Sequence, residues 1–289
     1  MIAIVAAFAT ALVLGLLASY GCRPVFDAPV FTRRNYRDVE LPTAMGLVIA
    51  LVVATCVAVQ QLVLELFSSW FRSGSSGWDE LSYHGPTLVG LCVGFGLLGL
   101  LDDLAGVGES GGFRGHLRAA AHGRITTGMI KLVGGPVVAV AVLGGSLLTS
   151  SPLGLLRDAA VVALVANLAN LFDRAPGRTI KFGLVCFVLL VAVSRRSALA
   201  TPALALGASA ALLPGDLAEE FMLGDAGSNV IGAALGFGIV VGISPTWRWV
   251  VLVVAVVANL ASEVVSFSKV IDSIGPLRWL DRLGSARGS

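Results

Sequence analysis

Nine long apolar runs, separated by short polar segments, constrain this chain more than any other feature of its sequence. A bilayer-spanning helix needs about 20 apolar residues, or fewer when it is short and untilted. Charged residues make up only 13% of the chain, whereas soluble domains contain about 25%. The sequence therefore predicts an all-α polytopic transmembrane helix bundle over residues 1–264, followed by a basic, amphipathic cytoplasmic tail over 265–289. The predicted spans are 2–20, 43–66, 86–101, 128–149, 153–171, 180–194, 198–214, 228–243 and 249–264.

The positive charges indicate how this bundle is oriented. Placing the N-terminus outside puts 15 of the 20 Lys and Arg residues on the inner side. We therefore predict an external N-terminus and a cytoplasmic C-terminus, with the polar segments 102–127, 172–179 and 215–227 facing the cytoplasm. The net charge of +2 gives no sign of a nucleic-acid partner.

Two adjacent carboxylates, Asp102 and Asp103, follow the third apolar run without a positive charge between them and the run. Carboxylates at a bilayer boundary are costly to dehydrate, and these two adjacent carboxylates also repel each other. A cation is therefore expected nearby. The alternative is a solvated helix end that happens to be acidic.

Asn167, Asn170 and Asp173 recur at intervals of three residues near the inner end of the fifth span. This spacing places them on roughly one face of a helix. Together they favour a polar pocket, although an intramembrane Asn taken alone is also typical of hydrogen bonding between helices.

The segment Gly224–Asn229 opens the eighth span with small residues, which leave the first backbone N–H groups of the helix exposed. Such a helix N-terminus can bind phosphate. Asp225 would then cap the helix or ligate a metal, and oxygen ligands from several elements suit Mg²⁺. Lys131, near the start of the fourth span, is either a partner for the aspartates or a phosphate, or a lysine that extends to the interface.

These stretches, in this order, resemble the polyprenyl-phosphate N-acetylhexosamine-1-phosphate transferase family. Its members include the phospho-N-acetylmuramoyl-pentapeptide transferases and the undecaprenyl-phosphate GlcNAc-1-phosphate transferases. Arg37–Gly46 is similar to the family's Pro-Thr-x-Gly-Gly-type start of the second helix, and Leu101–Asp103 to its aspartate pair. Asn167–Asp173 is similar to its Asn-x-x-Asn-x-x-Asp motif, and Leu223–Ser228 to its Gly-Asp-x-Gly-Ser motif.

The resemblance implies a Mg²⁺-dependent enzyme that transfers a sugar 1-phosphate from a UDP-amino sugar to polyprenyl (undecaprenyl) phosphate and releases UMP. It would act at the cytoplasmic face of the plasma membrane, in the synthesis of cell-wall or surface glycans, and homodimerisation is left open. Asp225 would ligate the metal with help from Asp103. Asp102 and Asp103 would orient or deprotonate the lipid phosphate, and Lys131 would bind phosphate. The implied substrate-binding residues are Asn167, Asn170, Asp173, Thr43, Arg37 and Met222, with Arg114 and Arg118 as further phosphate-binding candidates.

The basic tail alternates apolar and basic residues around Lys269 and Trp279. This pattern is typical of an interfacial helix held by Trp279 and anionic lipid. The alternative is a lid that supplies Lys269 or Arg278 to the substrate phosphates.

The chain also departs from the family pattern. Gly106 stands where a third Asp is usual, Pro176 where a further acid follows Asp173, and Met222 where an aromatic residue can stack on uracil. A histidine-rich loop near the last helices is missing, which favours a simple UDP-N-acetylhexosamine over the muramoyl-pentapeptide substrate. These departures leave a second hypothesis open, a catalytically silent membrane scaffold or partner subunit. A cation or proton transporter is disfavoured, because the acids cluster at one surface instead of crossing the bilayer.

Overall fold

A computed structural model describes residues 1–67, 77–105, 115, 122–123, 125–146, 148–149 and 151–284. Nine long helices and two short ones lie in these ranges. The long helices are α1 (Ile2–Phe26), α2 (Leu47–Leu66), α3 (Gly77–Ala105), α4 (Thr127–Gly144), α5 (Pro152–Phe172), α6 (Arg178–Ser194), α7 (Ala200–Leu217), α8 (Gly224–Gly242) and α9 (Pro245–Ser262). The short helices are α10 (Phe267–Ser273) and α11 (Gly275–Arg282), and single 3₁₀ turns cover Pro29–Phe31 and Ser197–Leu199.

The predicted fold class, an all-α polytopic bundle, is confirmed. Among the described residues, eight helices are long and apolar enough to cross a membrane. The sixth predicted span forms α6, which has 17 residues and is not one of these eight. The chain is therefore a multi-pass membrane protein. The orientation of its termini stays a prediction.

The helix ends differ from the apolar runs where polar residues continue the helix. The third span was predicted to begin at residue 86 and to end at 101, but α3 extends from Gly77 to Ala105. Pro86 thus lies inside α3, and Asp102 and Asp103 belong to its last turn. Hydrophobicity marks the membrane-embedded part of a helix, whereas the hydrogen-bonded backbone continues beyond it.

A small β-hairpin between α1 and α2 was not predicted. Strand β1 (Thr32–Arg34) pairs in antiparallel fashion with β2 (Glu40–Pro42). The Asn35 side chain stabilises the connecting turn, because its Oδ1 accepts hydrogen bonds from the backbone N–H groups of Arg37 (2.8 Å) and Val39 (3.0 Å). The hairpin carries basic residues to one end of the bundle.

Helix α8 forms the centre of the bundle and packs most extensively against α3 and α5. Its sequence is dominated by glycine, alanine and valine, which allow neighbouring backbones to approach closely. The closest approach is to the start of α2, where a Cβ atom built on Gly46 would lie 2.0 Å from Gly227 Cα. The Gly46 N–H also donates a hydrogen bond to the Leu223 carbonyl (2.9 Å).

The tail is bound to the bundle through the first turn of α6. Arg178 donates two hydrogen bonds to the Asp281 carboxylate, at 2.6 Å and 2.9 Å, and both side chains are buried. Lys181 Nζ donates to the Asp281 carbonyl (2.7 Å), and Arg178 also donates to Ser268 Oγ (2.7 Å). These contacts hold α10 and α11 against the end of the bundle.

Gly46→Ala tests the contact between α2 and α8. The backbone at Gly46 has an ordinary right-handed helical conformation, so the added methyl group acts through the steric clash with Gly227. We expect a loss of about 1–3 kcal/mol in stability, measured as a lower midpoint of thermal unfolding in detergent. Gly21→Ala is the control, because nothing lies within 4 Å of a Cβ atom at Gly21. Equal midpoints for the two variants would show that the contact between Gly46 and Gly227 contributes little to stability.

Candidate active site

Five of the predicted site residues meet at one end of the bundle, each carried by the end of a helix. Asp102 and Asp103 lie in the last turn of α3, and Lys131 lies near the start of α4. Asp173 directly follows α5, and Asp225 lies in the first turn of α8. Residues that are up to 123 positions apart in the chain therefore form one polar cluster.

Lys131 connects two of the acidic side chains. Its Nζ donates a hydrogen bond to Asp102 Oδ2 (3.0 Å) and another to the carboxylate of Asp225. The three side chains are only 15%, 23% and 28% exposed for Lys131, Asp102 and Asp225, respectively. The expectation of a cation beside the aspartate pair is therefore confirmed, and Lys131 pairs with the aspartates in this structure.

Asp103 caps helix α8 from a different helix. Its Oδ1 accepts a hydrogen bond from the backbone N–H of Asp225 (2.9 Å), and its Oδ2 accepts one from Ala226 N–H (3.0 Å). A carboxylate is stabilised at this position by the positive end of the helix dipole. The expectation that these N–H groups are exposed and available to phosphate is therefore wrong.

Gly224 allows this capping geometry. Its φ is +74°, and a Cβ atom there would lie 2.6 Å from Asp103 Oδ2 and 2.9 Å from Thr43 Oγ1. Any side chain would combine an unfavourable backbone conformation with these clashes. The glycine of the Gly224-Asp225 pair thus allows the Asp103 carboxylate to reach the end of α8.

A cavity of about 540 Å³ borders the cluster. Its wall includes residues of both charges, which suits a ligand that binds together with a cation. The predicted site residues that line it are Thr43, Asp102, Asp103, Asp173, Met222 and Asp225, and its basic lining residues are Arg33, Arg34 and Arg174.

The Asp173 carboxyl group has several acidic neighbours. Burial raises the pKa of its carboxyl well above the ordinary value, and the charges of Asp216, Asp225 and Asp103 raise it further. Thr179 Oγ1 donates a 3.3 Å hydrogen bond to Asp173, which opposes the shift. Burial and the three neighbouring acidic groups thus both disfavour the charged form of Asp173.

The two asparagines of the predicted stripe point elsewhere. Asn167 Nδ2 donates to Asn259 Oδ1 on α9 (2.7 Å), and Asn170 Nδ2 donates to Ser228 Oγ on α8 (3.0 Å). Neither lines the cavity, so the alternative of hydrogen bonding between helices describes both. Each step of three residues turns the helix face by about 60°, so that Asn167, Asn170 and Asp173 face three different neighbours.

Three basic candidates also lie outside the cavity wall, namely Lys131, Arg37 and Lys269. Lys131 lies behind the wall, where it contacts the lining residues Asp102 and Asp225. Arg37 pairs with Glu219 (3.2 Å), and Lys269 is exposed on α10. Their roles in substrate binding stay predictions. Arg114, Arg118 and Gly106 lie outside the described residues.

The structure adds residues that the sequence reasoning missed. Arg33 donates from Nε to the Asp103 carbonyl (2.9 Å) and from Nη2 to the Leu104 carbonyl (2.8 Å), which satisfies the C-terminal end of α3. Asp216 lines the cavity and accepts a 2.7 Å hydrogen bond from Gly177 N–H. An acidic residue at the inner end of the seventh span was a signal that could have identified Asp216.

The donor chemistry of the cluster fits Mg²⁺, which binds through one or two carboxylates together with substrate phosphates. Asp102 and Asp225 present carboxylate oxygens at the cavity wall. Both Asp103 oxygens accept backbone hydrogen bonds but keep further lone pairs. In the described part of the chain, no three acidic, histidine or cysteine side chains form a complete metal-binding group, and Lys131 lies between Asp102 and Asp225.

No protein-family model matches the chain, and no curated protein matches it either.

Lys131→Gln tests the electrostatics of the cluster. Removing the ammonium group leaves Asp102 and Asp225 repelling each other in a largely buried site, so we expect a loss on the order of 3 kcal/mol in stability. The measurement is the midpoint of thermal unfolding in detergent. The double variant Lys131→Gln/Asp225→Asn should recover most of the loss, because it removes one of the repelling charges.

Lys269→Gln provides the matched control, since Lys269 is an exposed lysine of the tail, which packs against the end of the bundle. It should leave the midpoint unchanged. A Lys131→Gln variant as stable as the unmodified protein would show that Lys131 does not neutralise the aspartates.

Proposed function

We propose that this protein is a Mg²⁺-dependent phosphoglycosyl transferase related to the polyprenyl-phosphate N-acetylhexosamine-1-phosphate transferases. It transfers a sugar 1-phosphate from a UDP-N-acetylhexosamine to a polyprenyl phosphate and releases UMP, at the cytoplasmic face of the plasma membrane. The observation that carries the proposal is the meeting of Asp102, Asp103, Asp225 and Lys131, from three helices, beside one cavity. The four sequence motifs provide independent support.

The size and position of the cavity agree with this reaction. Small-molecule sites usually measure about 300–1,000 Å³, and this cavity measures about 540 Å³. It lies at the ends of the apolar helices, where a phosphate on a membrane lipid and a water-soluble nucleotide can meet. Tyr36 and Met222 line the wall and supply apolar contacts for a base.

The reaction joins a lipid phosphate oxygen to the phosphorus that carries the sugar, and it breaks the bond between that phosphorus and the bridging oxygen, which leaves with UMP. Positioning and charge stabilisation account for most of the catalysis in phosphoryl transfer. When bound, Mg²⁺ would neutralise the pyrophosphate and stabilise the departing UMP. Asp225 and Asp102 are the residues that would hold it.

The protein's own side chains would divide the remaining tasks. Asp102 would orient the lipid phosphate, and Asp103 holds the start of α8 in position through its two backbone hydrogen bonds. Lys131 would donate to a substrate phosphate after exchanging one of its two carboxylate partners. Arg33 and Arg34 bring positive charge to the same wall for the nucleotide phosphates.

A catalytically silent scaffold is the second candidate. It is favoured by Lys131, which neutralises Asp102 and Asp225 without a metal. A structural ion-pair network needs no cavity beside it, however, and these carboxylates line one. Measured UMP release separates the two candidates.

The decisive assay supplies a panel of UDP-sugars and undecaprenyl phosphate to the purified protein with Mg²⁺. We expect UMP release with a UDP-N-acetylhexosamine, and loss of about 100-fold or more of this activity in Asp225→Asn. Asp272→Asn, which alters an exposed aspartate on α10, should retain full activity.

Each variant must first show an unchanged elution profile and an unfolding midpoint well above the assay temperature. No UMP release by folded protein from any sugar of the panel would rule out the transferase and leave the scaffold. Full activity in Asp225→Asn would contradict the assignment of Asp225 as the metal ligand.

A further inference from the structure

A second polar cavity, the distal cavity, lies at the end of the bundle opposite the candidate active site. Its volume is about 470 Å³, and its polar wall is formed by Glu80, His84, Arg195, Arg196 and Arg248. Glu80 and His84 lie near the start of α3, whose last turn carries Asp102 and Asp103. Arg195 and Arg196 follow α6, and Arg248 lies in the first turn of α9. The cavity therefore shares no residue with the candidate active site.

Positive charge is concentrated around the distal cavity. Arg248 donates to one oxygen of the buried Asp158 (2.8 Å), and Arg157 donates to the other (2.8 Å), so two arginines share one carboxylate. Among the residues that the structure describes, neither Arg195 nor Arg196 forms an ion pair, and both are exposed. Asp158 is thus shared between Arg157 and Arg248, and Glu80 is the carboxylate that lines the cavity beside Arg195 and Arg196.

The acidic member of the cavity is already engaged. Glu80 Oε2 lies 3.2 Å from His84 Nε2, and Glu80 Oε1 accepts a 3.0 Å hydrogen bond from Ser197. In the described ranges, no carboxylate pairs with Arg195 or Arg196, so their positive charges are available to a bound ligand. An excess of uncompensated arginine at the edge of a cavity favours an anion.

His84 provides an observation that is independent of the arginines. Its side chain is only 9% exposed, and it lines the cavity. Nδ1 is buried and has no hydrogen-bond partner among the described residues. Buried polar atoms normally have a partner. The wall of the distal cavity thus contains, besides the arginines, a buried polar side chain with one hydrogen-bonding atom that has no partner in the described ranges.

Arg195 occupies a backbone conformation that residues with a Cβ atom rarely adopt. It ends α6 with φ +53°, the left-handed conformation in which Gly or Asn is usual. An arginine here presents its charge beside that of Arg196, in the turn between α6 and α7. This turn lies at a membrane boundary, where lipid headgroup phosphates are found.

We propose that the distal cavity binds a phosphate group through Arg195 and Arg196, with Arg248 and His84 in the same wall. The planar, forked guanidinium group matches the oxygens of phosphate and binds them with two hydrogen bonds. The phosphate belongs either to an anionic lipid headgroup or to a soluble phosphate compound. This proposal does not depend on the proposed transferase activity.

The test uses the double variant Arg195→Asn/Arg196→Gln of the whole 289-residue chain in neutral detergent. Asn tolerates the left-handed conformation, and both side chains are exposed, so the fold should be retained. Native mass spectrometry measures binding of dioleoylphosphatidylglycerol, and calorimetry measures binding of inorganic phosphate. Arg23→Gln removes one charge from an exposed arginine elsewhere and is the matched control for the single variant Arg196→Gln, which is measured beside the double variant.

We expect at least one probe to bind about tenfold more weakly to the distal variant than to the unmodified protein, with binding retained in the control. Loss confined to phosphatidylglycerol identifies a lipid headgroup, and loss of inorganic phosphate binding identifies a soluble ligand. The proposal is overturned if the unmodified protein binds neither probe, or if the distal variant and the control bind both equally well. If the double variant has a lower unfolding midpoint than the unmodified protein, the single variant Arg196→Gln replaces it in the binding measurements.

Discussion

Charged groups inside a membrane protein must be paired, because the apolar surroundings provide no water to stabilise them. This constraint determines the structure at one end of the bundle. Lys131 on α4 lies between Asp102 on α3 and Asp225 on α8, so three helices are joined by one ammonium group. The central helix α8 is thereby tied to the same side chains that border the cavity.

Helix ends impose a second requirement, since their terminal N–H and C=O groups have no partner within the helix. Asp103 accepts hydrogen bonds from the first N–H groups of α8, while its own carbonyl accepts one from Arg33. The β-hairpin, the end of α3 and the start of α8 are thus connected through a single residue. A site built from satisfied helix ends is held in position by hydrogen bonds before a ligand arrives, as the proposed phosphoryl transfer would require.

The sequence predicted the parts of the fold that depend on hydrophobic runs and on charge. All nine spans appear as helices in the described residues, and the cation beside Asp102 is Lys131. The capping of α8 by Asp103 was not predictable, because it depends on which helix ends become neighbours. The sequence assigned Asn167 to the polar pocket, whereas its side chain contacts Asn259 on α9. Spacing along a helix shows which residues share a face, but it does not show which neighbouring helix that face contacts.

The central claim is that this acidic cluster binds a divalent cation in support of phosphoryl transfer. Electron paramagnetic resonance of Mn²⁺ titrated into the purified protein tests it most directly, because Mn²⁺ takes the same oxygen ligands as Mg²⁺. We predict saturable Mn²⁺ binding that is lost in Asp225→Asn and kept in Asp272→Asn. Equal binding by both variants, or no saturable binding by the unmodified protein, would contradict the account.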